Sequence, residues 1–373
     1  MTTSTQASGA PTSASVTPAA DWRTALPEAR RRSLRAWFWS IAGMTLGVLI
    51  IGGITRLTQS GLSIVDWDPL MGVIPPLGDA QWQEAFDRYR QFPEYQKLRE
   101  GMSLGQFRFI FFWEYLHRLM ARAIGLVFLV PFVFFALRGW LRKPLMVRAL
   151  GLFALGAMQG VMGWIMVASG LVDRPSVSHY RLAAHLSLAF VIFGYAVWLA
   201  RELRVVSRAA SLPSSALRLL RRGLFLVGAL LGLQIVWGAF VAGLDAGFFH
   251  NTFPLMAGRW VPADLAPYDP AVVNFLVHPV AVQWLHRVLG TLLTLAALGL
   301  GWWAWRAPLD ALSRRYGLTL AGLTLGQYLL GVVTLLLVVP VPLGVAHQAL
   351  AMVLFGVWVM WVHHARVALT SRP

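Results

Sequence analysis

Eight stretches of the chain stay apolar long enough to cross a bilayer: 36–57, 109–137, 147–171, 179–200, 223–245, 279–305, 316–339 and 344–362. A spanning helix needs about 20 mostly apolar residues. Gly and Pro occur inside several of the eight, which membrane helices tolerate. The polar segments between them alternate in character. Arg23, Arg30, Arg31, Arg32 and Arg35 precede the first span, and Arg138, Arg142, Lys143 and Arg148 follow the second. Arg201, Arg204, Arg208, Arg218, Arg221 and Arg222 follow the fourth, and Arg306, Arg314 and Arg315 the sixth. The remaining connections are acidic or near neutral: residues 58–108 carry seven acids, and 246–278 carry Asp264 and Asp269 against Arg259. By the positive-inside rule both termini are cytoplasmic and four connections face out. The pattern predicts an all-α polytopic membrane protein with eight transmembrane helices.

Composition agrees. Apolar residues make up 57% of the 373 and charged residues 13%, against about 25% charged in soluble domains. A disordered chain and an ordinary soluble enzyme are excluded. The net charge of +16 would raise nucleic acid as a partner in a soluble protein. Here the arginines fall on the cytoplasmic connections, so the bilayer is the partner and no nucleic acid is expected. There is no cysteine, which excludes disulfides, cysteine-ligated clusters and thiolate haem ligation. Residues 1–29 are rich in Ser, Thr, Ala and Pro without an apolar run, so they are no secretory signal. Residues 1–35 are expected to be a disordered cytoplasmic tail.

The chain also repeats itself. Glu114, Tyr115, Leu116, His117 and Arg118 in span two echo Gln283, Trp284, Leu285, His286 and Arg287 in span six. Gln159, Gly160 and Gly163 in span three echo Gln327 and Gly331 in span seven, and the run Arg181 to His185 echoes Gly344 to His347. Four spans return the chain to its starting side, so the repeat is parallel. It divides the chain into a four-helix half at 36–200, a cytoplasmic linker at 201–222, a second half at 223–365 and a tail at 366–373. The expected architecture is two pseudo-symmetric four-helix bundles.

Nine histidines are present. His250 and His278 lie in or near an outer connection, His179 opens span four, and His363 and His364 end the last span; these five are expected at interfaces or in solvent. His117, His185, His286 and His347 lie inside spans, where an ionisable group is costly and points to function. They form matched pairs, one pair per half, all towards the outer face. Two neutral imidazoles on facing helices suit the two axial positions of a haem iron, and bundle cores are where such sites are built. Arg118 and Arg287 each follow a histidine. A guanidinium there can take a haem propionate in bidentate fashion or snorkel to headgroups.

Glu114 is three residues before His117 and so shares its helix face. It is the only acid well inside a span, and burial would suit it to act as an acid or base. Its counterpart Gln283 cannot transfer a proton. The two centres are therefore unequal, with the first half reactive and the second an electron-transfer or structural haem.

At these residues the chain resembles the haem A synthase family, over nearly all of 36–365. The resemblance is strongest from Gly52 and Gly53 through Arg56 and Gly61 to Ser63, followed by Trp67, Pro69, Gly72, Pro75 and Pro76. Pro93, Glu94 and Tyr95 and the Glu114 to Arg118 motif continue it. Without cysteine, the chain resembles the Cys-free branch of that family. The resemblance implies an inner-membrane enzyme that oxidises the C8 methyl of haem O to a formyl group, giving haem A for cytochrome oxidase. It implies that His117 and His185 bind substrate haem O or product haem A through the iron, that Glu114 is catalytic, and that His286 and His347 ligate a haem b. Haem O synthase is the implied substrate donor, an electron donor is required, and homo-oligomers are left open. Two rivals stand: a di-haem b electron-transfer cytochrome linked to quinol, which gives no reason for Glu114 to differ from Gln283, and a transporter, which the placement of the histidines towards one face disfavours.

Overall fold

The computed structural model describes residues 26–65, 73–170, 177–204 and 214–370. Trp67, Pro69 and Gly72, most of the expected N-terminal tail and much of the linker lie outside the described residues. The chain opens with α1 (Glu28–Leu57), then the short α2 (Asp79–Tyr89) and α3 (Pro93–Leu98) in the first connection. There follow α4 (Leu104–Leu137), α5 (Lys143–Gly170), α6 (His179–Glu202), α7 (Ser214–Gly243), the one-turn α8 (Asn274–Val277), α9 (Pro279–Arg306), α10 (Ala311–Leu336) and α11 (Val341–Thr370). Eight of these helices, α1, α4, α5, α6, α7, α9, α10 and α11, are long and apolar enough to span a membrane. Among the described residues the only β-type pairing is an isolated bridge between Met256 and Arg259. The protein is an all-α, multi-pass membrane protein.

Several helices run past the limits set by hydropathy, because their caps are polar. Ser103 accepts from the Gln106 amide at 3.3 Å while Gln106 Oε1 accepts from the Ser103 N–H at 2.9 Å. That reciprocal cap starts α4 before its apolar run begins. Asp310 accepts from the N–H groups of Leu312 and Ser313, both at 3.0 Å, and so starts α10 early. The first helix begins at Glu28, whose carboxylate meets Arg31 and Arg35. Arg30 to Arg35, assigned from sequence to the tail, therefore form the first turns of α1. The second half of the linker from Ser214 onward is likewise the start of α7.

Within the first half α1 packs on α4 and α6, and α5 packs between α4 and α6. Within the second half α7 packs on α9 and α11, and α10 packs between α9 and α11. The halves meet through α1 with α11, α6 with α7, and α6 with α11. Swapping the halves turns the first of these contacts into the second and leaves the third unchanged. This pattern fits the two pseudo-symmetric bundles expected from the repeat.

Each half has a dry apolar core at its arginine-rich end. Leu34, Phe38 and Ile41 of α1 pack with Phe135, Leu145 and Leu199 in the first. Leu220, Leu224, Leu300, Leu320 and Trp361 do so in the second. His363 and His364 belong to this region and are buried, 6% exposed each, rather than solvated. His364 Nε2 lies 3.1 Å from Asp310 Oδ1, and the His363 ring stands edge-on to Trp198.

Helices in lipid associate by close packing, which favours small residues at contacts. At the α9–α10 contact a Cβ on Gly301 would lie 2.8 Å from the Gly317 carbonyl oxygen, so only backbone fits. Gly301→Leu is expected to force the helices apart at about 1–3 kcal/mol, the usual scale of overpacking. Thermal unfolding in detergent should show a lowered midpoint. Gly299→Leu, where a Cβ meets nothing within 4 Å, should leave it in place.

Candidate functional site

The four histidines singled out from sequence are seated in the same way. Each ring lies against a glycine of the preceding spanning helix. A Cβ on Gly52 would stand 2.8 Å from His117 Cε1, one on Gly163 3.4 Å from His185, one on Gly238 3.1 Å from His286, and one on Gly331 2.7 Å from His347. A larger residue at Gly52 or Gly331 would push the ring aside, one at Gly238 would crowd it, and Gly163 is in ordinary contact. His117 and His185 are close enough to interact electrostatically, and so are His286 and His347. The expected pairs are therefore brought together within each half. All four rings are half-buried, in contrast to the fully buried core at the other end of each half.

Glutamines touch three of the rings. Gln159 Nε2 lies 3.3 Å from His185 Nε2 and donates to the His185 carbonyl at 3.2 Å. Gln327 Nε2 lies 3.2 and 3.3 Å from the two ring nitrogens of His347 and donates to its carbonyl at 2.9 Å. Gln234 Nε2 lies 3.2 Å from His286 Nε2. Gly52, Gln234 and Gly238 were not tied to the histidines by sequence reasoning. The signal was there: Gln159 with Gly163, Gln234 with Gly238 and Gln327 with Gly331 share a one-turn spacing.

Glu114 is 2% exposed and wholly engaged. Its Oε2 accepts from Ser63 N–H at 2.6 Å, Ser63 O–H at 2.7 Å and Ile64 N–H at 2.9 Å. Its Oε1 accepts from Arg118 Nη2 at 2.7 Å. All four partners are donors, which suits an acceptor-only carboxylate. Gln283 occupies the matching place against a connection of opposite polarity. Its Nε2 donates to the carbonyls of Ala246 at 2.7 Å and Phe249 at 2.6 Å, and its Oε1 accepts from Arg287 at 2.8 Å. Acid and amide thus perform one task, tying the connection that follows α1 or α7 to the helix that bears the histidine. The backbone they face decides which is needed.

The arginines assigned from sequence to propionates are drawn into the same ties. Arg118 donates to the Ile64 carbonyl at 2.8 Å. Arg287 donates to the carbonyls of Thr252 and His250, both at 2.8 Å. Arg287 Nε is buried without a hydrogen-bond partner.

The first connection folds over the head of α4. Phe86 and Tyr89 of α2 are buried against Phe107 and Ile110, and Trp82 stands edge-on to Phe107 and Phe111. The short helix α2 thus turns its apolar face to protein. Tyr115 O–H donates to the Val73 carbonyl at 2.7 Å. Glu94 is buried and 3.5 Å from Arg99, while Arg99 donates to the Gln59 carbonyl at 2.7 Å.

The donor set fits haem. Among the described residues no three of His, Cys, Asp and Glu come together to hold a metal ion by themselves, so the histidines offer pairs. Nδ1 of His117, His185 and His286 is buried without a partner, which leaves polar capacity for a ligand. The family model for cytochrome oxidase assembly proteins, COX15-CtaA, matches residues 35–359. The chain belongs to this family. The COX15-CtaA match runs from α1 into α11 and takes in all four histidines. Relatives in the family include the haem A synthase of Rhodospirillum centenum, 47% identical over 97% of this chain and 95% of that protein. That of Parvibaculum lavamentivorans is 45% identical over 90% of this chain and 95% of its own length. That of Nitrosospira multiformis is 44% identical over 90% and 93%.

Glu94 gives a prediction about the first connection. Burial pushes its carboxyl up to about 7, against partial relief from Arg99. The folded protein therefore holds a proton that the unfolded chain, near 4.5, has lost, and stability falls as pH rises between these values. Glu94→Gln is expected to remove that slope: melting in detergent at pH 5 and pH 8 should differ less in the variant than in the parent.

Proposed function

We propose that this chain oxidises the C8 methyl group of haem O to a formyl group, giving haem A for cytochrome oxidase. The carrying observation is the pair of glycine-seated histidine sites, made unequal by Glu114 in one half and Gln283 in the other. Family membership and relatives named as haem A synthases over nearly the whole chain support it.

In this reading residues 36–200 form the substrate half, and His117 and His185 hold the iron of haem O and later of haem A. Residues 223–365 form the second half, where His286 and His347 hold a haem b. That group supplies one-electron chemistry when bound. Arg287, with its unpartnered Nε, is the better placed of the two arginines to meet a propionate. Arg118 acts mainly through Glu114. The carboxylate of Glu114 fixes Ser63 and Ile64 over the first site and puts a negative charge beside it, where it stabilises positive charge or accepts a proton as the methyl is oxidised. Two hydroxylations of the methyl carbon would give the alcohol and then the geminal diol, which loses water to leave the formyl group. With dioxygen as the oxidant, each would put one oxygen atom into the substrate, release the other as water, and consume two protons and two electrons from a redox partner.

The protein then lies in the inner membrane with both termini cytoplasmic, as the arginine-rich connections on one side support. Haem O synthase supplies its substrate, and a separate redox partner supplies electrons.

The substitution Glu114→Gln tests the role of the acid. Whichever way the new amide turns, its –NH2 faces a donor, either Arg118 or the N–H groups of Ser63 and Ile64. Conversion should fall by about 10²-fold or more, the scale of a positioned acid or base, while the protein still inserts. The ratio of haem A to haem O in membranes, at parental protein level, reports this, and an unchanged ratio sinks the catalytic role. His347→Ala should remove haem b from purified protein. An unaltered haem content and spectrum would overturn the assignment of His286 and His347. Haem b as the sole pigment of the parent protein would favour an electron-transfer cytochrome instead.

A further inference from the structure

Three histidine seats share a side chain that the fourth lacks. One turn before Gly163, Gly238 and Gly331 stand Gln159, Gln234 and Gln327; one turn before Gly52 stands Val48. Residues four apart share a helix face; each glutamine meets the ring that its glycine seats, and Val48 holds the matching position on α1. We propose that the three glutamines are positioning residues that restrain the haem-ligating histidines, and that Val48 leaves His117 as the ligand through which the substrate haem exchanges. This rests on the haem A synthase reading above.

The glycine contact is common to both kinds of seat. What differs is the side chain. Gln327 and Gln159 clasp their histidines twice, at ring and at carbonyl, and Gln234 contacts its ring. The amide oxygens of all three are buried without a partner. An imidazole that gives one nitrogen to a metal presents N–H from the other, and outer-shell acceptors fix its orientation. A glutamine serves such a ring as acceptor once its amide is turned over, so that the oxygen, buried without a partner here, takes the ring N–H. Valine offers no acceptor.

The functional need is unequal in the same sense. A resident haem is held through every turnover, whereas the substrate centre must admit haem O and let haem A go. Outer-shell partners of metal ligands typically contribute 10–100-fold in affinity. Leaving one out, at one ligand of the substrate pair, loosens that ligand alone and leaves His185 clasped.

The test uses full-length purified protein carrying its haems, with apomyoglobin as the haem acceptor. Absorbance separates loss of haem O or A from loss of haem b. Val48→Gln is expected to slow release from the first half by about 10-fold and to leave haem b unaffected. Gln159→Val should speed release from the first half, and Gln327→Val should speed release of haem b by a similar factor. Gln327→Val should also shift the EPR g-values of the ferric haem b, which follow the orientation of its axial rings. Should Val48→Gln not insert, the two glutamine variants carry the test. Release rates within two-fold of the parent at normal haem content overturn the proposal, as does a variant that loses both haems faster alike. A parent protein that binds neither haem O nor haem A overturns the haem A synthase reading instead.

Discussion

A histidine inside a membrane span must be met by protein, because hydrocarbon offers it no partner. Here every such ring is met by the bare backbone of a neighbouring helix at a glycine. This contact sets how near α1 stands to α4, α5 to α6, α7 to α9 and α10 to α11. Because the glycine carries no side chain, the ring can approach the neighbouring backbone closely. The arginine-rich ends of both halves are packed solid with Leu, Phe and Trp and hold the helices at fixed angles. The histidine pairs and their glycine seats stand at the other end of each half, where the histidines are only half-buried.

The difference between the halves lies less in the ligands than in what surrounds them. Glu114 and Gln283 sit at equivalent places, each bonded to the arginine four residues on. One faces N–H groups of Ser63 and Ile64, the other carbonyls of Ala246 and Phe249. An acid in the second half would set anionic oxygens against carbonyl oxygens, and an amide in the first would set N–H against N–H. The choice between acid and amide is thus written into the path of the connection as well as into one side chain.

Hydropathy and charge made the eight spans legible, and the echo of Glu114–Arg118 in Gln283–Arg287 made the four histidines legible. Helix starts were less so, because the caps at Ser103 and Asp310 are polar and fall outside any apolar window. His363 and His364 read as solvated or interfacial from their place at the end of the last span; Trp198 of α6 and Asp310 at the start of α10 stand against them, and both histidines are buried. The engagement of Arg118 and Arg287 by backbone carbonyls depends on where the connections fold, which no spacing records. Gly52 and Gly238 were hidden for a different reason: glycine is common in membrane helices, so its partner is visible only in three dimensions.

The contacts between the halves have one more consequence. A set of contacts that maps onto itself when two units are exchanged is the set that identical subunits make about a two-fold axis. Two separate copies of a four-helix unit joined in that way must carry identical sites, since one coding sequence specifies both. Covalent joining lifts that requirement while keeping the geometry. A carboxylate can then stand in one copy and an amide in the other, and valine in one seat where the remaining three have glutamine. Two histidine pairs with different surroundings are thereby held at a separation that neither can change, and in a fixed ratio of one to one.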